Sequence, residues 1–113
     1  MEPIRALICD DEPLALDRLG DLLSRCPEVE VLGSLLAAGD LIEALERGDA
    51  NLVFLDIEMP RMDGFDVVEA LSRMAWNGGN EPPLIVFVTA HTELAANAFD
   101  SGALDFISKP VRL

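Results

Sequence analysis

The sequence has few basic residues, and only one of them is a lysine. Eight Lys and Arg residues stand against 21 Asp and Glu residues, for a formal net charge of −13. A chain with this balance repels the phosphate backbone of nucleic acids and anionic membrane surfaces. We therefore expect this chain to bind neither nucleic acid nor membranes directly.

Cysteines and long apolar runs are also scarce. Cys9 and Cys26 are too few for a disulfide scaffold. No apolar run approaches the roughly 18 residues of a membrane span, and the N-terminus lacks the basic and apolar segments of a signal peptide. These absences predict a cytoplasmic protein. Its 113 residues, half of them hydrophobic, correspond to one domain with a real core.

Short apolar runs alternate along the chain with segments of helical spacing. The runs have strand length and cover residues 6–9, 29–36, 52–55, 84–88 and 104–107. Helical spacing follows Pro13 and recurs near residues 41–45, where Asp40 could cap the helix, and near 65–71 and 94–99. This alternation predicts a doubly wound α/β fold with a parallel sheet and right-handed crossovers.

Polar residues follow four of the five predicted strands. Asp10 and Asp11 follow the first, Asp56 the third, Thr89 the fourth and Lys109 the fifth. Ligands bind beyond the carboxyl ends of strands in open parallel sheets. Clustered aspartates repel one another and need a cation, and hard oxygen ligands favour Mg²⁺, with Mn²⁺ as the other candidate. The single lysine would complete the charge balance of such a site.

A cation, a lysine and a hydroxyl around one carboxylate suit phosphoryl transfer, which depends on positioning and charge neutralisation. Carboxylates are known nucleophiles that form aspartyl phosphates. Asp56 is the best candidate because it stands alone after the most buried predicted strand. Thr89 and Lys109 would then bind phosphoryl oxygens.

These residues carry a family resemblance that covers nearly the whole chain. The set Asp10-Asp11, Asp56, Thr89-Ala90 and Lys109-Pro110 resembles the receiver domain of two-component response regulators. Residues 55–64, Leu-Asp-Ile-Glu-Met-Pro-Arg-Met-Asp-Gly, are similar to the phosphoacceptor loop of that family. Residues 85–91 and 98–106 most resemble the LytR/AlgR class, which joins a receiver to a β-rich DNA-binding domain.

The resemblance implies a flavodoxin-like, five-stranded parallel sheet of order 2-1-3-4-5. It implies one receiver domain over residues 1–113, with the final helix of the family missing from this chain. Asp56 would accept a phosphoryl group from the phosphohistidine of a sensor histidine kinase. Asp11 would bind Mg²⁺ directly, Asp10 would help through water, and Asp56 and the backbone carbonyl of Glu58 would complete the protein ligands.

The resemblance also implies a switch and its partners. Thr89 would move toward the phosphoryl group and Phe106 would move with it, although Phe stands where the family more often has Tyr, so the hydroxyl is lost. An effector domain outside this chain would receive the signal, in transcription regulation. Receivers of this family often pair as homodimers through the face of helix 4 and strand 5.

Each site residue taken singly also has a structural explanation. Asp10 and Asp11 could provide negative charge at a helix N-terminus, Thr89 could be a helix cap, and Lys109 could be a solvated surface lysine. His91, the only histidine, is more simply an exposed loop residue than a general acid or base.

Two other functions compete with the signalling switch. A phosphohydrolase of the haloacid-dehalogenase type also uses an aspartyl phosphate, Mg²⁺, Thr and Lys, but its nucleophile follows the first strand. A degenerate receiver would serve only as a docking module, without phosphorylation.

Overall fold

The fold is built on one parallel sheet. The computed structural model describes residues 3–74, 82–94 and 105–109. The strands are β1 Ile4–Cys9, β2 Val29–Leu35, β3 Leu52–Leu55, β4 Leu84–Thr89 and β5 Asp105–Ser108. Their order is β2-β1-β3-β4-β5, and every neighbouring pair is parallel. The predicted five-stranded α/β sheet and its order are confirmed, although β5 lies one residue later than its apolar run.

Three α-helices connect the first four strands: α1 Pro13–Leu23, α2 Ala38–Glu46 and α3 Gly64–Ser72. Helix α1 begins at Pro13, whose missing N–H has no intrahelical partner to lose in the first turn. The prediction that Asp40 caps α2 is wrong. The N-cap residue is Ala37. Asp40 lies inside the first turn, where its negative charge interacts favourably with the positive end of the helix dipole.

Strand side chains alternate between two apolar layers. On one face α2 and α3 pack against β1, β3 and β4, and we call this the α2/α3 layer. On the other face, among the described residues, α1 packs against the same strands to form the α1 layer. The buried strand residues of the α2/α3 layer are Leu7, Cys9, Val53, Leu55, Ile85 and Phe87. Those of the α1 layer are Ala6, Ile8, Phe54, Val86 and Val88.

Helix α3 shows how well the predicted helical stripe matches the real one. Val67 and Leu71 are buried, while Phe65 and Val68 are half-buried against the same layer. The Phe65 ring meets Phe87 edge-on, with ring centroids 5.2 Å apart. The most buried side of α3 is therefore rotated slightly from the predicted stripe, but the residues of that stripe still contact the core.

Some predicted features lie outside the described residues. The helix predicted over 94–99 is described only up to Leu94, which ends a short 3₁₀ turn over Thr92–Leu94. The expected absence of a fifth helix concerns the residues after Lys109, which lie outside the described part of the chain. Within that part, every helix is too short or too polar to cross a bilayer.

Candidate functional site

Backbone hydrogen bonds position the site just beyond the strand ends. The N–H of Asp10 donates to the last residue of β2 at 3.0 Å, and that of Asp56 donates to the last residue of β1 at 3.0 Å. The N–H of Lys109 donates to the last residue of β4 at 2.8 Å. Because the parallel ladder continues through these residues, three polar side chains leave the sheet from fixed points on one edge.

Three aspartates meet at this edge. Carboxylate oxygens of Asp10, Asp11 and Asp56 all lie within 4.8 Å of one another, and we call them the acid cluster. Asp10 and Asp56 are buried, whereas Asp11 is exposed. The predicted convergence of these three residues is confirmed. The atoms that they offer to a cation are all carboxylate oxygens, which are hard ligands.

Lys109 reaches into the acid cluster from β5. Its Nζ lies 2.7 Å from Oδ2 of Asp10, 3.3 Å from Oε1 of Glu12 and 3.8 Å from Oδ1 of Asp56. Its side chain is 16% exposed, so it is not a freely solvated surface lysine. Partial burial lowers the pKa of Lys109, but the hydrogen bond to Asp10 and the charge of Asp56 outweigh it, and the net pKa is raised. The ammonium therefore stays charged.

Asp56 carries the largest electrostatic cost of the cluster. Burial and the charge of Asp10 raise its pKa from 3.8 to about 7, although Lys109 acts in the opposite direction. A carboxylate held in this way gains more from an added cation than a solvated one does. The site is built to favour a positive charge beside Asp56.

Tight packing behind Asp56 fixes the loop that follows β3. The N–H of Gly64 donates to the carbonyl of Ile57 at 2.7 Å. A Cβ on Gly64 would lie only 2.8 Å from the backbone oxygen of Asp56. Beside it, Asp63 caps α3 in a reciprocal capping box with Asp66. The nucleophile candidate therefore sits on a backbone that has little room to move toward the core.

Thr89 ends β4 and is completely buried. Its Oγ1 accepts a hydrogen bond from the N–H of His91 at 3.0 Å. The hydroxyl thus accepts a hydrogen bond from the backbone just after β4. This local role is similar to the helix cap that the sequence offered as a structural explanation of Thr89.

Glu58 and His91 line the same recess as Asp56 and Lys109. The His91 Nε2 lies 2.8 Å from Oε2 of Glu58, and its Nδ1 lies 3.1 Å from Oε1 of Glu93. The His91 side chain is 42% exposed, as expected of a loop residue, but both of its ring nitrogens lie close to a carboxylate. The side chain of Phe106 lies outside the described part of the structure.

Comparisons with known proteins agree with this arrangement. The family model of the response regulator receiver domain matches residues 6–113. The chain belongs to the response regulator receiver domain family. A sensory transduction protein, LytT of Bacillus anthracis, is 40% identical over 107 residues, which are 95% of this chain and 42% of LytT. The transcriptional regulatory protein BtsR of Escherichia coli is 37% identical over 108 residues, covering 96% and 43% of the two chains.

A solved receiver shares the whole architecture. The response regulatory domain of protein mrkE from Klebsiella pneumoniae superposes with a TM-score of 0.82 at 33% identity, covering 96% of this chain and 85% of that one. The predicted receiver domain of a two-component system is confirmed, as is the predicted resemblance to the LytR/AlgR class, to which LytT belongs. This receiver chain spans less than half the length of LytT and BtsR.

Sequence reasoning missed two members of the site. Glu12 contacts Lys109, yet in the sequence it was only the third acid of a run. His91 pairs with Glu58, and its position two residues beyond the candidate hydroxyl of Thr89 was the one available signal. Both partners come from other segments of the chain, so the pairing itself is invisible in the sequence.

Proposed function

We propose that this receiver is a phosphorylation-dependent switch whose phosphoacceptor is Asp56. The convergence of Lys109 with the acid cluster at the carboxyl edge of the sheet is the observation that carries the proposal. In the transfer, a carboxylate oxygen of Asp56 attacks the phosphorus of a phosphohistidine. The phosphorus–nitrogen bond breaks, and its electron pair stays on the imidazole of the donor.

The acid cluster fits a hard divalent cation, Mg²⁺ or Mn²⁺. The carboxylates of Asp10, Asp11 and Asp56 lie close enough to share one ion. By family resemblance, the backbone carbonyl of Glu58 would be a further ligand. A bound cation would offset carboxylate repulsion and neutralise charge on the phosphoryl oxygens. The raised pKa of Asp56 supports this fit, because it results from burial and from the charge of Asp10, and a bound cation would favour the ionised carboxylate against both.

Lys109 and Thr89 would recognise the phosphorylated state. The Nζ of Lys109 is closer to Asp10 than to Asp56, at 2.7 Å and 3.8 Å. We propose that Lys109 shifts its main contact to a phosphoryl oxygen, because phosphorylation adds negative charge and strong acceptors at Asp56. Thr89 would donate its hydroxyl to another phosphoryl oxygen, and Phe106 would move with it to carry the change to the surface.

The partners belong to a longer signalling pathway. We propose a sensor histidine kinase as phosphodonor and, outside this chain, an effector domain of the LytR/AlgR type that binds DNA in transcription regulation. The match to relatives more than twice as long supports such an effector. We also propose a cytoplasmic location. For its assembly, we propose a homodimer that pairs through the face formed by helix 4 and strand 5.

The direct test is labelling of Asp56 by a small phosphodonor. The chain is incubated with acetyl phosphate and Mg²⁺, and the adduct is followed by intact mass and located by fragmentation. We expect one phosphoryl group on the parent and none on Asp56→Asn. Asp21→Asn is the matched control, because Asp21 is an exposed carboxylate paired with Arg25 outside the acid cluster. Equal labelling of Asp56→Asn and the parent would overturn the assignment.

Two further measurements separate the alternatives. Family membership and the place of Asp56 after β3 favour a receiver over a haloacid-dehalogenase-type phosphohydrolase. We expect only trace turnover of a phosphate ester such as p-nitrophenyl phosphate, and sustained turnover would support the hydrolase. We expect Mg²⁺ binding at millimolar concentration, and its absence would support a docking pseudo-receiver.

A further inference from the structure

The imidazole of His91 joins two loops across the mouth of the recess. Its Nε2 lies 2.8 Å from Glu58, in the loop after β3, and its Nδ1 lies 3.1 Å from Glu93, just beyond β4. Glu58 and His91 both line the recess that contains Asp56. This contact is therefore a bridge between the loop that carries the phosphoacceptor and the end of the neighbouring strand.

The backbone of the same residue holds the buried hydroxyl. The N–H of His91 donates to Oγ1 of Thr89 at 3.0 Å, and Thr89 is 0% exposed. His91 thus links Thr89 on one side to Glu58 on the other. If Thr89 moves toward Asp56, His91 must move with it, or the hydrogen bond from the His91 N–H to the Thr89 hydroxyl must break.

We propose that His91 is a positioning residue that holds the resting arrangement of these two loops, so that releasing its contact with Glu58 is part of the cost of activation. This inference rests on the proposed function. In the resting state the ring fixes residue 91 between two carboxylates, and residue 91 fixes the Thr89 hydroxyl. Because the Glu58 contact favours only the resting arrangement, removing it shifts the balance of states toward the active one.

The first test measures affinity for beryllofluoride, an analogue of the phosphoryl group, at saturating Mg²⁺. We expect His91→Ala to bind it up to about fivefold more tightly than the parent, which is the ceiling for so exposed an ion pair. His91→Gln keeps a side-chain N–H donor for Glu58 and should return close to parental affinity. Glu69→Gln is the control, because it removes the exposed pair with Arg73 on α3 instead.

The outcomes are distinct. Tighter binding by His91→Ala with an unchanged melting temperature supports the proposal, since a merely structural role would weaken binding or lower that temperature. Unchanged or weaker binding overturns it. If the parent itself binds no beryllofluoride with Mg²⁺, the proposed function fails.

A second test needs no ligand and judges the inference separately. Amide hydrogen exchange at residue 91 is compared between His91→Ala and His91→Gln. The bridge should slow local opening, so we expect exchange several-fold faster in His91→Ala than in His91→Gln. Equal exchange in the two variants would show that the ring does not hold this segment, whatever the fate of phosphorylation.

Discussion

Asp56 shows how one residue can trade stability for function. Burial and the charge of Asp10 raise its pKa to about 7, so the folded chain resists ionising the group that we propose as the nucleophile. Lys109 recovers part of this cost, and a bound cation would recover more. The strain is electrostatic, and it is concentrated at the proposed site of phosphoryl transfer.

This cost predicts a pH dependence of stability. The folded chain keeps a proton on Asp56 between its ordinary pKa of 3.8 and about 7, whereas the unfolded chain has lost it. Stability from this group is therefore present at low pH, declines as pH rises through that window and levels off above it. We expect Asp56→Asn to raise the free energy of unfolding at pH 8 by at most ~4 kcal/mol.

The measurement is urea unfolding of the parent and of Asp56→Asn across this pH range, without divalent cations. The difference between the two free energies should grow from about pH 4 to pH 7. A constant difference across the range would contradict the electrostatic cost assigned to Asp56.

The two cysteines differ in exposure, because Cys26 is only half-buried. Cys9 is buried, and burial followed by the charge of Asp10 raises the pKa of its thiol to about 12. Since the thiolate is the reactive form, Cys9 should be inert in the folded chain. We expect a maleimide at pH 7.5 to label only Cys26 under native conditions and both cysteines in urea. Rapid native labelling of Cys9, located by peptide mass, would contradict its burial.

At the scale of elements, the turn from β3 into α3 fixes the position of Asp56, the proposed phosphoacceptor. The capping box of Asp63 and Asp66 starts α3, and the N–H of Gly64 closes the turn onto Ile57. Gly64 is needed for close approach of backbones. An added Cβ would meet the Asp56 oxygen at 2.8 Å and the Phe87 ring at 2.9 Å.

Gly64→Ala should therefore destabilise the fold by about 1–3 kcal/mol, the usual cost of overpacking. Gly39→Ala is the matched control, because a Cβ there meets nothing within 4 Å and α2 should gain about 0.5–1 kcal/mol from losing a glycine. The check is to measure the free energy of unfolding of both variants and the parent by chemical denaturation. Equal effects of the two substitutions would mean that the close approach to Asp56 is not a packing constraint.

At the scale of the whole molecule, the two layers are covered unequally. Helices α2 and α3 lie on one face, and within the described residues α1 alone lies on the other. A recess of about 350 Å³ opens beside α1, and its apolar lining includes Leu16, Leu19, Phe54 and Val88. Leu14 also lines this recess and is 80% exposed, so an element packed over the recess would bury additional apolar surface.

We therefore predict that a longer chain, extended at its C-terminus by a helix of ~12 to 15 residues, melts at a higher temperature. That is the length of an ordinary helix, and an added helix could bury the recess beside α1. The check is thermal unfolding of both chains by circular dichroism in the same buffer. An unchanged melting temperature would mean that the extension does not pack on this layer.

The sequence by itself determined the sheet and the edge at which the site lies. Apolar runs alternating with helical stripes lead to parallel strands, and parallel strands bring their carboxyl ends together. Residues directly after those strands, such as Asp10, Asp56 and Lys109, could therefore be placed side by side without coordinates. This inference succeeds because strand ends are fixed by backbone geometry, which the hydrophobic pattern reports.

Only the tertiary structure decided which side chains pair. Lys109 lies closest to Asp10 and also contacts Glu12, while His91 reaches Glu58 from a different loop. The distances from Lys109 Nζ to Asp10 and to Asp56, 2.7 Å and 3.8 Å, decide which of several acids is its main partner. These distances depend on where the helices begin, on the paths of the loops and on the packing of the core. Sequence periodicity carries no information at that scale, so the partners of Lys109 and His91 emerge only when the layers are packed.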